Sequence, residues 1–429
     1  KERVSNLLQQ ENYISLKLLI LTQYYPPETG AAQNRLHELA KRLSKKGIDV
    51  NVLAAMPNYP QMRIFEGYRK KSHVKESIDD ITVMRSWIYV KNSKSIFHRL
   101  INYFSFVISS FFTGWFRLGK YDYVLCESPP LFLGISAYLL SRLKRAKLIF
   151  NVSDLWPESA EKLGLIKSKF LLGMSTRLEE CLYKRSALIV GQTQGIVSNI
   201  SGRFPQKHVY WLPNGAELKY YDPNSYDKGW REQNGFRNDD FLVFYGGIFG
   251  HAQGLEVIIN AADHLRDHHK IKFVIMGNGP LKDEITRMKK EKNLHNVSLF
   301  DTVPKSKMPN VLLEIDVSVV PLKKLELFKG AIPSKIFESL AMMKPILLGV
   351  EGEAKELFID EGECGLAYEP ENDAELAEKV LLLANEPDSL KVLGQNARNY
   401  VEQKFDRVKI ADTFYNELVS LDQGKNQRD

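Results

Sequence analysis

The sequence predicts an α/β protein made of two Rossmann-like domains whose parallel sheets face a central cleft, and three observations carry that prediction. At 429 residues the chain exceeds what one ordinary core covers, which favours two domains of about 200 residues. A strand, an amphipathic helix and a second strand open each half, and this is the unit that builds parallel sheets. Loops rich in Gly, Pro, Asn and charge fall where strands end, the edge at which open parallel sheets hold ligands.

Leu16 to Thr22 is an apolar run of strand length, followed by the loop QYYPPETGAA and by apolar positions at helical spacing over Gln33 to Ser44. Gly47 ends that helix and Asp49 to Ala55 supplies the next strand. The same order recurs as a strand at Phe241 to Tyr245, a helix from Leu255 to Arg266 and a strand at Lys272 to Met276. Further strands are expected at Tyr123 to Cys126, Lys147 to Val152, Ala187 to Val190, Val209 to Trp211, Val297 to Phe300, Val317 to Val320 and Pro345 to Leu348. Domain limits follow: a tail over 1–14 with no signal-peptide or anchor pattern, a first domain over 15–212, a second over 213–402, and a final helix over 403–422. Gln423 to Asp429 reads as a frayed end. Three scattered cysteines form neither a disulfide framework nor a zinc cluster and suit a reducing cytoplasm.

Charge divides the halves. Residues 1–212 hold 31 Lys and Arg against 16 Asp and Glu, a net +15, whereas the remainder holds 28 against 36, a net −8. The first domain therefore faces something anionic: nucleic acid, an acidic membrane surface or a phosphate-bearing acceptor. Nucleic acid lacks a reading motif here. Ile101 to Phe116, INYFSFVISSFFTGWF, is apolar and flanked by Arg99, Arg117 and Lys120, but falls short of the roughly 20 residues a spanning helix needs. Two readings stay open for it, a buried helix of the first domain and peripheral attachment to anionic lipid, with Arg142, Lys144, Arg145 and Lys147 close in sequence.

The chemistry concentrates in GAIPSKIFESLAMMK, Gly330 to Lys344, where a turn opens a helix carrying Lys335 and Glu338. Free N–H groups at a helix start together with a lysine suit a diphosphate, and a carboxylate can accept two bonds from ribose hydroxyls. The alternative is an ordinary helix start with both side chains on the surface. Gly246 and Gly247 follow one strand, Gly277 and Gly279 another, and each pair lets a ligand approach the backbone. The glycine fingerprint of a dinucleotide-binding dehydrogenase is absent.

PSKIFESLAMMKPI resembles the donor-binding helix of the retaining glycosyltransferases of family four, PPETGAA their acceptor-side glycine loop, YGGIFGHAQGLEVII the opening of their nucleotide domain, and MGNGP with Val303-Pro304 their base-binding loops. The likeness runs over nearly the whole chain. With DLWPES, it is nearest to the bacterial enzymes that add N-acetyl-L-fucosamine or a related amino sugar during O-antigen or capsule assembly. The resemblance implies a GT-B fold, a nucleotide-sugar donor of the UDP type in the second domain, a polyprenyl diphosphate-linked saccharide as acceptor on the first, and a C-terminal helix crossing back. It also implies transfer with retention, no cofactor and a peripheral place on the inner face of the cell membrane. By motif, the donor residues are Gly246, Gly247, His251, Gln253, Gly277, Gly279, Val303, Pro304, Gly330, Ala331, Ile332, Ser334, Lys335 and Glu338. The family has two glutamates with seven residues between them; here Gly330 replaces the first, so backbone amides around Gly330 and Ala331 are expected to hold the sugar. His251 and Gln253 stand where the family has a basic pair on the diphosphate. Lys335 can supply the charge, with Lys323, Lys324 and Lys329 as alternatives.

Carboxylates at first-domain strand ends are the candidates for catalysis: Asp154 first, then Glu127 and Glu28, with Glu158 and Gly30 placed on the acceptor side. Asp154 can take the acceptor's proton or cap the helix near Pro157. No His, Cys and carboxylate cluster has metal-ligand spacing, and Asp79-Asp80 lacks the aspartate pattern of metal-dependent transferases, so no metal is expected. Two rivals share these features: an epimerase or hydrolase acting on a sugar nucleotide within the same fold, and a non-catalytic binder of membrane driven by the basic half.

Overall fold

The computed structural model describes residues 16–93, 96–162 and 168–426; the expected tail over 1–14 lies outside them. They form two compact units, one comprising residues up to Pro213 together with Ile410 onward, the other Asn214–Lys409.

The first unit is built on β1 (Lys17–Thr22), β2 (Asp49–Ala55), β3 (His73–Ile78), β4 (Ile81–Ser86), β5 (Tyr123–Ser128), β6 (Lys147–Val152), β7 (Leu188–Gly191) and β8 (Val209–Trp211), in the order β3-β4-β2-β1-β5-β6-β7-β8. Every pairing is parallel except β3 with β4. Burial on both faces explains why β1 reads as an unbroken apolar run: Leu18, Leu19, Ile20 and Leu21 are all inaccessible to solvent. Helix Ala31–Lys45 covers one face through Leu36, Leu39, Ala40 and Leu43, and the amides of Lys46 and Gly47 close its end on Leu43 and Ser44. The same face takes Ala411, Phe414 and Leu418 of helix Arg407–Asn426, with Lys46 bonded to Asp412 at 2.8 Å. That helix runs to Asn426, past the start expected for the frayed end.

The antiparallel pair β3–β4 was not foreseen. Asp79 and Asp80, both with positive φ, form its two-residue turn. Asp79 then bonds His37 and Lys41 at 3.0 Å each, so the acidic patch is a turn tied to the first helix.

Ile96–Arg117 is one helix of 22 residues. Its inner face buries Asn102, Phe106, Val107 and Ser110, and it approaches helix Leu133–Lys144 closely: a Cβ on Gly114 would lie 2.7 Å from Leu140, and Ser110 bonds Ser136 at 2.9 Å. Its outer face leaves Phe104, Ile108, Phe112, Trp115 and Phe116 exposed. The inner face bears out a packed helix of the first domain, and the outer face leaves apolar side chains on the surface. Among the described residues no helix is long and apolar enough to cross a membrane.

The second unit carries β9 (Phe241–Ile248), β10 (Ile271–Asn278), β11 (Val297–Phe300), β12 (Val317–Pro321), β13 (Ile346–Gly349) and β14 (Gly365–Ala367), all parallel, in the order β11-β10-β9-β12-β13-β14. Helix Glu256–His264 packs Val257, Ile258, Ile259, Ala261 and Ala262 into its core. The carboxyl ends of β9, β10 and β12 lie side by side, and their loops hold most of the predicted donor residues.

Candidate functional site

Lys335 begins a helix, Lys335–Ala341, and its ammonium stands 3.8 Å above the centre of the Tyr245 ring in the second half of β9. A Cβ on Gly247 would come within 2.9 Å of that nitrogen, so the glycine makes room for the lysine. Although part of the side chain remains accessible to solvent, the ammonium is enclosed among protein atoms, and burial pulls it down to about 7 while Glu338 opposes the drop. Among the described residues it has no carboxylate within ion-pair distance. The three alternative lysines do: Lys323 lies 3.9 Å from Glu256, Lys324 2.5 Å from Glu369, and Lys329 2.7 Å from Glu326. Of these four, only the charge on Lys335 is left for a ligand.

One turn on, Glu338 accepts a hydrogen bond from the buried Tyr221, with Arg407, Lys305 and Lys335 as nearby positive charges. Burial is the largest influence and raises its carboxyl above the usual range. A single phenol leaves acceptor capacity on the two oxygens.

The surrounding loops serve the site in ways the sequence did not show. A Cβ on Gly277 would overlap the Gly247 carbonyl, and one on Gly279 would lie 2.6 Å from the Phe249 carbonyl. These glycines let the β9 and β10 loops touch each other, rather than simply admitting a ligand. Gln253 meets the Tyr245 hydroxyl at 3.4 Å, whereas His251 is exposed and, among the described residues, makes no hydrogen bond with the site. Val303 is half-buried and Pro304 exposed beyond β11; Lys305, next along, accepts from Tyr220 at 2.9 Å. Gly330 ends a 3₁₀ turn in open space, with Ile332 and Ser334 half-buried beyond it. The amide of Ala331 donates to Phe328 at 3.0 Å, which corrects the expectation that it holds the sugar. The helix is only seven residues long, so the lysine supplies the cationic charge more than the dipole does.

In the first unit the carboxylates separate. Glu28 is buried, and its oxygens accept from the amides of Tyr25 (3.1 Å), Asn58 (2.7 Å) and Tyr59 (2.8 Å). It clamps two loops, and with both oxygens occupied it is a scaffold group and not the catalytic carboxylate expected. Glu127 is likewise buried, bonded to Arg35 at 2.7 Å, Ser153 at 2.5 Å and Asn151. It is therefore assigned to the scaffold as well. Arg35, which sequence reasoning passed over, is its buried partner. Asp154 remains half-exposed; Ser159 donates to it at 2.5 Å, and burial raises its carboxyl above the usual range. Glu158 pairs with Lys162 on the surface, and Gly30 precedes the first helix.

Residues 227–400 match the family described as Glycosyl transferases group 1, and residues 30–215 match a Glycosyl transferase 4-like domain. Together these two matches span most of the chain, which is a glycosyltransferase. It is 26% identical over 413 residues to the putative colanic acid biosynthesis glycosyl transferase WcaI of Escherichia coli K12, covering 94% of this chain and all of the relative. The O-antigen chain mannosyltransferase C of Escherichia coli is 21% identical, over 95% of this chain and 99% of its own. Anabaena HepE, solved with UDP and glucose, superposes with a TM-score of 0.68 at 17% identity, over 94% of this glycosyltransferase and 100% of HepE, and shares its GT-B fold.

Proposed function

We propose that this glycosyltransferase takes a sugar from a UDP-sugar and passes it, with retention and without metal or cofactor, to a polyprenyl diphosphate-linked saccharide during assembly of a bacterial surface polysaccharide. The second unit binds the donor and the first the acceptor. The carrying observation is the Lys335 ammonium, lacking a carboxylate partner, above Tyr245 and one turn from Glu338. A cation beside a partly occupied carboxylate at parallel strand ends suits diphosphate and ribose together. HepE with its UDP supports the nucleotide, and the names of the Escherichia coli relatives support a surface polysaccharide. The sugar in this reading is an amino sugar such as N-acetyl-L-fucosamine, following the motif resemblance.

The exposed apolar stripe of helix Ile96–Arg117, the exposed Phe170, Leu171 and Met174, and the cations Arg99, Arg117, Lys120, Arg142 and Arg145 suit an anionic leaflet. This favours peripheral attachment at the inner face of the cell membrane. Asp154 is the carboxylate assigned to the chemistry, stabilising positive charge on the donor sugar or taking the acceptor's proton. Calorimetric titration with UDP, GDP and a panel of UDP-amino sugars, in the presence of a chelator, tests the proposal. Metal-free binding of UDP above GDP is expected, and no binding by any nucleotide would overturn the donor assignment.

A further inference from the structure

Three tyrosines meet at the carboxyl ends of β1 and β2 without an evident structural reason. Tyr24 follows β1, Tyr59 follows β2, and Tyr103 lies on helix Ile96–Arg117; all three are half-buried. The Tyr24 and Tyr59 ring centres are 5.6 Å apart with planes tilted by 60°. Tyr103 is close enough to Tyr24 to influence its hydroxyl electrostatically, and Arg99, one turn before Tyr103, acts on both. Arg99 is exposed and has no carboxylate within ion-pair distance among the described residues.

Buried polar groups hold this arrangement from beneath. Gln23 donates to Asn102 at 2.9 Å and to the Tyr24 hydroxyl at 3.2 Å, and Asn102 donates to the Tyr89 carbonyl at 2.6 Å. Glu28 gathers the amides of Tyr25 and Asn58, the neighbours of the two stacking positions, and that of Tyr59 itself. Gln23 Oε1 and Asn58 Oδ1 are buried without a donor, so the floor retains acceptor capacity. Burying so much polarity costs stability, and a preorganised ligand surface accounts for it.

We infer that Tyr24, Tyr59, Tyr103 and Arg99 form the site for a glycosyl diphosphate carrying an apolar chain. The rings take the C–H face of a pyranose while their hydroxyls bond its oxygens. The guanidinium takes the phosphate oxygens. Helix Ile96–Arg117 sets the direction: beyond Arg99 it presents Phe104, Ile108, Phe112 and Phe116 at steps of four residues, a stripe for the apolar chain. Sugar, diphosphate and apolar chain thus each have a partner on the first unit, the chain along the helix that also carries Arg99 and Tyr103. The inference rests on the lipid-linked acceptor proposed above and adds the residues that read it.

The test compares farnesyl diphosphate with the same lipid bearing N-acetylglucosamine on its terminal phosphate, titrated into the full-length protein. Stacking tolerates differences between pyranoses, so the glycosylated probe should bind at least about 5-fold tighter. Tyr24→Leu with Tyr59→Leu should erase that difference, and Arg99→Gln should weaken both probes by about 10-fold. Equal affinity of the wild type for the two probes, or an Arg99→Gln variant that binds both normally, would overturn the site. UDP titration of the same samples reports an intact fold in the variants. Failure of the wild type to bind UDP would count against the donor assignment and leave the acceptor result standing. Binding of the tyrosine variant to phosphatidylglycerol vesicles should match the wild type, which separates this site from general lipid attraction.

Discussion

At the scale of single residues, Lys335 and Asp154 each have a protonation state set by burial, and each gives a prediction with a sign. Lys335 is pulled down to about 7, so at pH 8 most molecules hold a neutral amine. A diphosphate favours the ammonium, and binding at pH 8 must therefore take up a proton. The terminal phosphate of UDP titrates near 6, roughly as phosphate esters do, so at pH 8 the proton goes to the protein. Calorimetry in two buffers of different ionisation heat should show uptake approaching one proton at pH 8 and little from Lys335 at pH 6, with affinity falling as pH rises past 7. Lys335→Met should abolish the uptake; an unchanged proton count would remove the lysine from the diphosphate. Asp154 has a carboxyl raised by burial and must ionise to act as a base, so turnover should rise with pH through that raised value. Asp154→Asn should keep donor affinity and lose about 100-fold in kcat. Near-normal turnover with a stability loss of about 1 kcal/mol would identify a helix cap instead.

At the scale of elements, the close contact of the β9 and β10 loops makes a quantitative contrast possible. Gly277→Ala drives a methyl group into the Gly247 carbonyl, and backbone cannot rotate away as a side chain can. A cost of about 3 kcal/mol follows, a fall in Tm of roughly 10 °C for a unit of this size. Gly330→Ala meets nothing within 4 Å and should stay within about 0.5 kcal/mol of the wild type. Thermal unfolding of both decides it, and equal melting temperatures would mean the loops are not packed as described. The parallel strands were legible because burial on both faces leaves apolar runs between turn signals. The pair β3–β4 was not, since its strands are half polar and its turn is Asp-Asp rather than the Asn-Gly that marks most such turns. The same limit applies within the sites. Lys335 and Glu338 share one motif and could be read from it, whereas Tyr245 and Tyr221 meet them only through tertiary packing. Glu28 and Glu127 were misread because a position at a strand end does not reveal that amides, or a buried arginine, already occupy the oxygens.

At the scale of the whole molecule, the net +15 of residues 1–212 and the −8 of the rest give the two halves opposite responses to an anionic surface. Exposed aromatic rings and cations coincide on helix Ile96–Arg117 and its neighbours, where Phe112 and Phe116 are 48% and 71% exposed. Each basic side chain near an anionic leaflet contributes about 1 kcal/mol, and salt screens that attraction over about 10 Å at 0.1 M. Inserting a phenyl ring contributes up to about 2 kcal/mol and is insensitive to salt. Sedimentation with vesicles containing phosphatidylglycerol should therefore recover the protein at low salt and progressively less of it as salt rises. Phosphatidylcholine vesicles should recover little. Phe112→Ser with Phe116→Ser should lower recovery at every salt concentration by a similar factor, because it removes the apolar contribution alone. Equal recovery on neutral and anionic vesicles would leave the basic half without a lipid partner. A double variant that sediments as the wild type would mean the exposed stripe does not enter the bilayer, so that charge alone holds the protein there.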